Sequence, residues 1–101
     1  MDTQSESLIS AIQTLLASVR SGSPATELRE NLSSVIVIGS SIVGVSKDSL
    51  PLRAVGEGRR LLRALAGNCE LLSELSEGED MGKDVRNQIA STTFELAKVR
   101  L

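Results

Sequence analysis

Apolar residues recur along the chain at helical spacing. Leu8, Ile12, Leu15, Leu16 and Val19 follow i, i+4, i+7, i+8 and i+11, which places them on one helical face. Gln13, Thr14, Ser18 and Arg20 fall largely off that face. The spacing predicts a helix over about 7–20, capped by Ser5 or Ser7, behind a flexible N-terminus of residues 1–6. Ser21-Gly22-Ser23-Pro24 then ends one helix and starts the next. Gly22 suits the left-handed position after a helix, Ser23 the N-cap, and Pro24 the first helical turn. A link this short favours antiparallel neighbours.

The second segment, about 24–46, supports two readings. Val35 to Ile38 and Ile42 to Val45 are rich in β-branched residues and are separated by Gly39, which locally resembles two short strands. Over a longer window Leu28, Leu32, Val35, Gly39, Ile42 and Val43 keep helical spacing, behind the helix-favouring Glu27, Arg29 and Glu30. Helical flanking segments, and the lack of further strands to complete a sheet, favour the helix. Gly39 and Gly44 each weaken such a helix by about 1 kcal/mol relative to Ala. Gly39, with Ser40 and Ser41, would also let a neighbouring helix approach closely.

Lys47 to Leu52 reads as a loop, and Pro51 biases Leu50 to extended geometry. Ser49 and Pro51 then introduce a third helix over about 51–75. Val55, Gly58, Leu62, Leu65, Cys69 and Leu72 form one row, with Ala54, Leu61, Ala64, Leu71 and Leu75 beside it. The wide apolar face suits a helix that touches two neighbours. Gly56 and Gly58 make its first turns a hinge candidate. After the acidic turn Ser76-Glu77-Gly78-Glu79-Asp80, a fourth helix is expected over about 80–99, capped by Asp80 or Ser76. Its inner row is Met81, Val85, Ile89, Thr92, Leu96 and Val99, with Phe94 and Ala97 near the edge. Four amphipathic helices with short links predict an all-α, antiparallel up-down-up-down four-helix bundle.

Composition removes function classes rather than adding one. The 101 residues contain no His, one Cys and a single aromatic, Phe94. There is no imidazole base or His metal ligand, no internal disulfide, and no CxxC site. The aromatic platforms of single-stranded nucleic-acid binders are missing. The formal charge of -2 disfavours a duplex-wrapping protein. No apolar run approaches the ~20 residues that span a bilayer, and no secretory signal pattern opens the chain. No enzyme, cofactor, metal ion, nucleic acid or membrane insertion is expected.

Arg53, Arg59, Arg60 and Arg63 form the one dense basic cluster, and the i, i+3 and i, i+4 spacings put Arg59, Arg60 and Arg63 on one side of a helix. Arginine forks suit an acidic partner segment. The bland alternative is a solvated face offset by Glu57 and by acids of other helices. Leu61 and Leu65, like Leu8 and Leu15, are candidate apolar groove anchors. Cys69 reads as a small core residue, and Met81 and Phe94 also read as core. Glu70, Glu74, Glu77, Glu79, Asp80 and Asp84 read as a solvated capping turn, because their spacing is wrong for a calcium loop. Lys47 and Asp48 read as caps of the third helix.

The stretch Ser40-Ser41-Ile42-Val43-Gly44-Val45-Ser46-Lys47-Asp48-Ser49-Leu50-Pro51, the opening from Leu8 to Arg20, and Ser91-Thr92-Thr93-Phe94-Glu95-Leu96-Ala97-Lys98 resemble the carboxy-terminal region of fungal polarisome scaffold proteins, the Spa family. That region is in turn similar to the carboxy-terminal focal-adhesion-targeting-like bundle of animal GIT scaffolds. The resemblance covers about Leu8 to Leu101. It implies a non-enzymatic adaptor in the cytoplasm, at the cell cortex where growth is polarised. Its partners would be polarity and actin-regulatory proteins, held by short amphipathic helices in grooves between bundle helices. A self-association module forming a homodimer is the alternative.

Overall fold

In the computed structural model the chain forms four helices. The structure describes residues 3–46, 52–75 and 82–99. The helices are α1 (Thr3–Ser21), α2 (Ala25–Ser46), α3 (Leu52–Ser73) and α4 (Lys83–Lys98). The first begins at Thr3, earlier than the start near residue 7 expected from the apolar spacing. Glu6 lies in its first turn, favourably placed for the helix dipole. The Gln4 amide donates to Ser41 Oγ at 3.1 Å, tying that turn to α2.

The α1–α2 link is a Schellman motif. The Ser23 N–H donates to the Ser18 carbonyl and the Gly22 N–H to that of Val19, at 3.0 and 3.3 Å. Gly22 has φ +73°, a conformation that costs other residues a clash at Cβ. Ser23 is therefore used to close α1. The Pro24 carbonyl accepts the first bond of α2, from Leu28 N–H, so the N-cap is Pro24 and not Ser23, and the helix starts one residue later than expected.

The ambiguous second segment is one continuous helix. Val35, Gly39, Ile42 and Val43 turn inward together, while Val37 between them is 65% exposed. The whole predicted row, Leu28 to Val43, is buried. Burial of a helical stripe outweighs β-branched preference here, as tertiary context commonly does.

Cross-helix contacts fix the directions. Gln4 meets Ser41 and Asn31 meets Ser18, so α1 and α2 run antiparallel. Gly39 meets Leu62, and the Cys69 thiol lies 4.0 Å from the Arg29 carbonyl oxygen, so α2 and α3 do too. The Arg86 guanidinium at the start of α4 donates to the Ser23 carbonyl at 3.0 Å, closing the ring against the far end of α1. Each helix packs on two neighbours, α1 on α2 and α4, α3 on α2 and α4. The core runs along the centre, with Leu15, Leu28, Leu32, Leu65, Ile89 and Leu96 among its fully enclosed side chains.

The α4 boundary and register differ from expectation. The helix starts at Lys83 with Gly82 at the N-cap and no side-chain cap. Met81, Ser76 and Asp80 lie outside the described residues, as do Lys47, Asp48 and the Ser49–Pro51 lead into α3. Thr93, not Thr92, is the fully buried threonine. The step from Ile89 is four, and the next, to Leu96, is three. The Thr93 hydroxyl is satisfied by donating to the Ile89 carbonyl at 2.6 Å.

A Cβ built on Gly39 would lie 2.7 Å from Leu62 Cδ2, whereas Gly67 in α3 faces open space. Gly67→Ala should therefore raise unfolding free energy by about 1 kcal/mol. Gly39→Leu should lower it by about 1–3 kcal/mol through overpacking. Urea denaturation of both variants measures the two signs.

Candidate protein-docking surface

Leu61 and Leu65 are not surface anchors. They are 2% and 0% exposed and belong to the core, because they sit at the centre of the α3 apolar arc. Leu8 and Leu15 are likewise buried. Phe94 departs in the other direction. It is 51% exposed, since Thr93 takes the inward position and Phe94 is turned one step around the helix toward α1. The Lys98 ammonium stands 4.8 Å from its ring centroid, a cation–π contact. Cys69 is half-buried at the edge of the core. Of the acidic cluster, Glu70, Glu74 and Asp84 are exposed, and Glu77, Glu79 and Asp80 lie outside the described residues.

All four arginines are exposed, but they do not form one patch. Arg60 turns toward α4. Its Nη2 donates to Glu57 Oε2 at 2.9 Å and lies 3.6 Å from Glu95 Oε2. The hydrogen bond from Arg60, then its charge, holds the Glu57 carboxyl below the ordinary glutamate value, and Arg53 adds a smaller push the same way. Glu57 in turn raises the Arg60 guanidinium above its ordinary value, with a smaller contribution from Glu95. This half of the cluster is internally neutralised.

Arg59 and Arg63 turn the other way, toward α2. They stand one helical turn apart beside a groove of ≈ 340 Å³ between α2 and α3. Ile36, Val43, Leu62 and Ala66 supply its apolar lining, and Ser40 and Gly44 keep it open. A Cβ at Gly44 would meet nothing within 4 Å. Among the described residues neither arginine makes an ion pair. The α2 side has nothing to offer them, because no charged residue occurs from Asn31 to Ser46. That uncharged run is the sequence signal that locates the groove, and the spacing of the arginines does not contain it. Val37, seven residues before Gly44, lies on the same flank of α2.

The groove between α1 and α2 is of a different kind. Its lining is mostly polar, with Glu6, Ser7, Ser10, Thr14 and Ser34. Asn31 Nδ2 donates to Ser18 Oγ across it at 2.6 Å, and Ser18 donates to the Thr14 carbonyl. The side chains on this face hydrogen-bond to one another across the seam.

No protein-family model, curated protein or solved structure matches the chain. Among the described residues no helix is long and apolar enough to cross a membrane.

The Glu57–Arg60 pair gives a pH test of this division. Because the folded carboxyl is held below its ordinary value, its contribution to stability is fully present above that value. It is lost as pH falls through the lowered folded value. Carboxyl NMR titration should show Glu57 titrating below the ordinary glutamate value, and Arg60→Gln should return it toward that value.

Proposed function

We propose that this chain is a non-catalytic docking domain of a cell-polarity scaffold. Its groove between α2 and α3 takes a short amphipathic helix from a partner protein. The observation that carries this reading is the unpaired Arg59 and Arg63 beside an apolar groove whose other wall is uncharged. Apolar side chains of the incoming helix enter between α2 and α3, which is helix-in-groove recognition. Acidic residues on its edge meet the two guanidiniums, and charge-assisted bonds set the register. Residues four apart on a helix lie about 6 Å from one another, so acids spaced by three or four on the partner match them.

The resemblance to the Spa family supports placing the domain at the cell cortex, among polarity and actin-regulatory proteins. The sequence supports the same non-catalytic assignment. Without His, no nucleophile-and-base pair is available in the groove, and the net charge opposes nucleic acid as the occupant.

The test uses a synthetic peptide of about 18 residues, five helical turns. It carries Leu every third or fourth position and flanking Asp and Glu. Titration by fluorescence anisotropy should show binding that weakens with salt. Arg59→Glu with Arg63→Glu should cost about tenfold or more in affinity. Arg53→Glu with Arg60→Glu should change it little. Equal losses from the two pairs, or none from the first, would reject the groove as the site.

A further inference from the structure

We infer that the opposite side of the bundle, the face shared by α1 and α4, binds a second copy of this chain in a two-fold dimer. In the ring of helices this face lies across the core from the α2–α3 groove. At its centre is Phe94, the one aromatic side chain of the protein, half in solvent on an otherwise regular helix. Leu16 and Ala90 lie beside it in a shallow groove. Ile9, 57% exposed, stands seven residues before Leu16 and so on the same flank of α1. Apolar side chains of this size gathered on one flank are the usual mark of a covered surface.

The charges identify the occupant. Arg20, Lys98 and Glu95 line the same groove, Glu95 staying 54% exposed beside its 3.6 Å contact with Arg60, so both signs occur within one small patch. A two-fold contact sets residue i of one copy against j of the other, and j against i. A patch of mixed sign satisfies that operation with itself. Arg20 or Lys98 of one copy meets Glu95 of the other, twice, around a central pair of Phe94 rings. The α2–α3 groove fails the same operation, since its two arginines would face their own copies. One face therefore suits a copy of the chain, and the other suits an acidic stranger.

The consequence concerns valency. A dimer joined through α1 and α4 turns both α2–α3 grooves outward. A partner carrying two docking helices could then be held at both grooves, and a tethered second site can raise avidity by about 10²–10⁴. This consequence rests on the proposed docking function, but the dimer itself does not.

Sedimentation equilibrium of the 101-residue chain up to about 1 mM tests the dimer directly. The expected result is a reversible monomer–dimer equilibrium. Phe94→Glu should weaken it by about 30-fold or more with an unchanged far-UV spectrum, as for a central aromatic. Glu95→Lys should weaken it by about tenfold. Mixing that variant with the Arg20→Glu, Lys98→Glu double variant should restore association, because their patches are then of opposite sign. Arg59→Glu with Arg63→Glu should leave the dimer intact while weakening peptide binding about tenfold or more, which separates the two proposals. A chain that stays monomeric, whether or not some other protein covers this face, would overturn the inference. So would a dimer indifferent to Phe94 and Glu95.

Discussion

The seat of Leu62 against Gly39 governs what α2 and α3 can offer. Where α2 has no side chain, the Leu62 methyls reach within 2.7 Å of the position a Cβ would take. A side chain at that position would push the end of Leu62 out of this seat. Leu62 is at once a core residue and part of the floor of the outer groove. Arg59 precedes it by three residues and Arg63 follows it by one. Both arginines therefore flank the leucine that lines the groove. A glycine in mid-helix costs about 1 kcal/mol relative to Ala, and the seat it leaves for Leu62 works against that cost.

The remaining seams are held by other means. Between α1 and α2 the tight Gly22 turn and the Ser18–Asn31 hydrogen bond fix the register. A part-buried polar pair of this kind favours one alignment of two helices over its neighbours, since a slip would leave Asn31 unpaired. Arg86 carries the same logic around to α4 by bonding the Ser23 carbonyl, a group the turn exposes at the end of α1. One link between two helices therefore also anchors a third.

Periodicity made most of the fold legible. The stripes of α1, α2 and α3 were readable because buried positions recur every three or four residues and few polar residues interrupt them. Even the β-branched run of α2 yields to this test, since a strand would have buried Val37 or exposed its neighbours alternately. Helix ends were less legible. Thr3 to Glu6 has no apolar residue to mark it, and its helical state rests partly on a hydrogen bond to Ser41, 37 residues away. In α4 a single step decides between Thr92 and Thr93. A threonine can be buried wherever its hydroxyl finds the carbonyl one turn back, so sequence offers little to choose between them.

The surface was less legible than the core for a related reason. Leu61 and Leu65 were candidate anchors because a wide apolar arc offers more leucines than one neighbour needs. With α2 on one side and α4 on the other, Leu61 and Leu65 are enclosed, and Leu71 at the edge of the arc is left 49% exposed. The arginines were grouped by helical spacing, which measures distance along one helix and ignores what the neighbours carry. Arg60 faces α4, where Glu95 waits. Arg59 and Arg63 face a stretch of α2 that has no charge at all. Spacing within α3 is nearly the same in the two cases, and the contents of the facing helix separate a neutralised pair from an available one. The same reasoning distinguishes the two sides of the bundle. A groove with one sign of charge can recruit only its opposite, whereas a patch carrying both signs can close on itself. The proposed docking and the proposed dimer therefore call on different faces and are not rival readings of one surface.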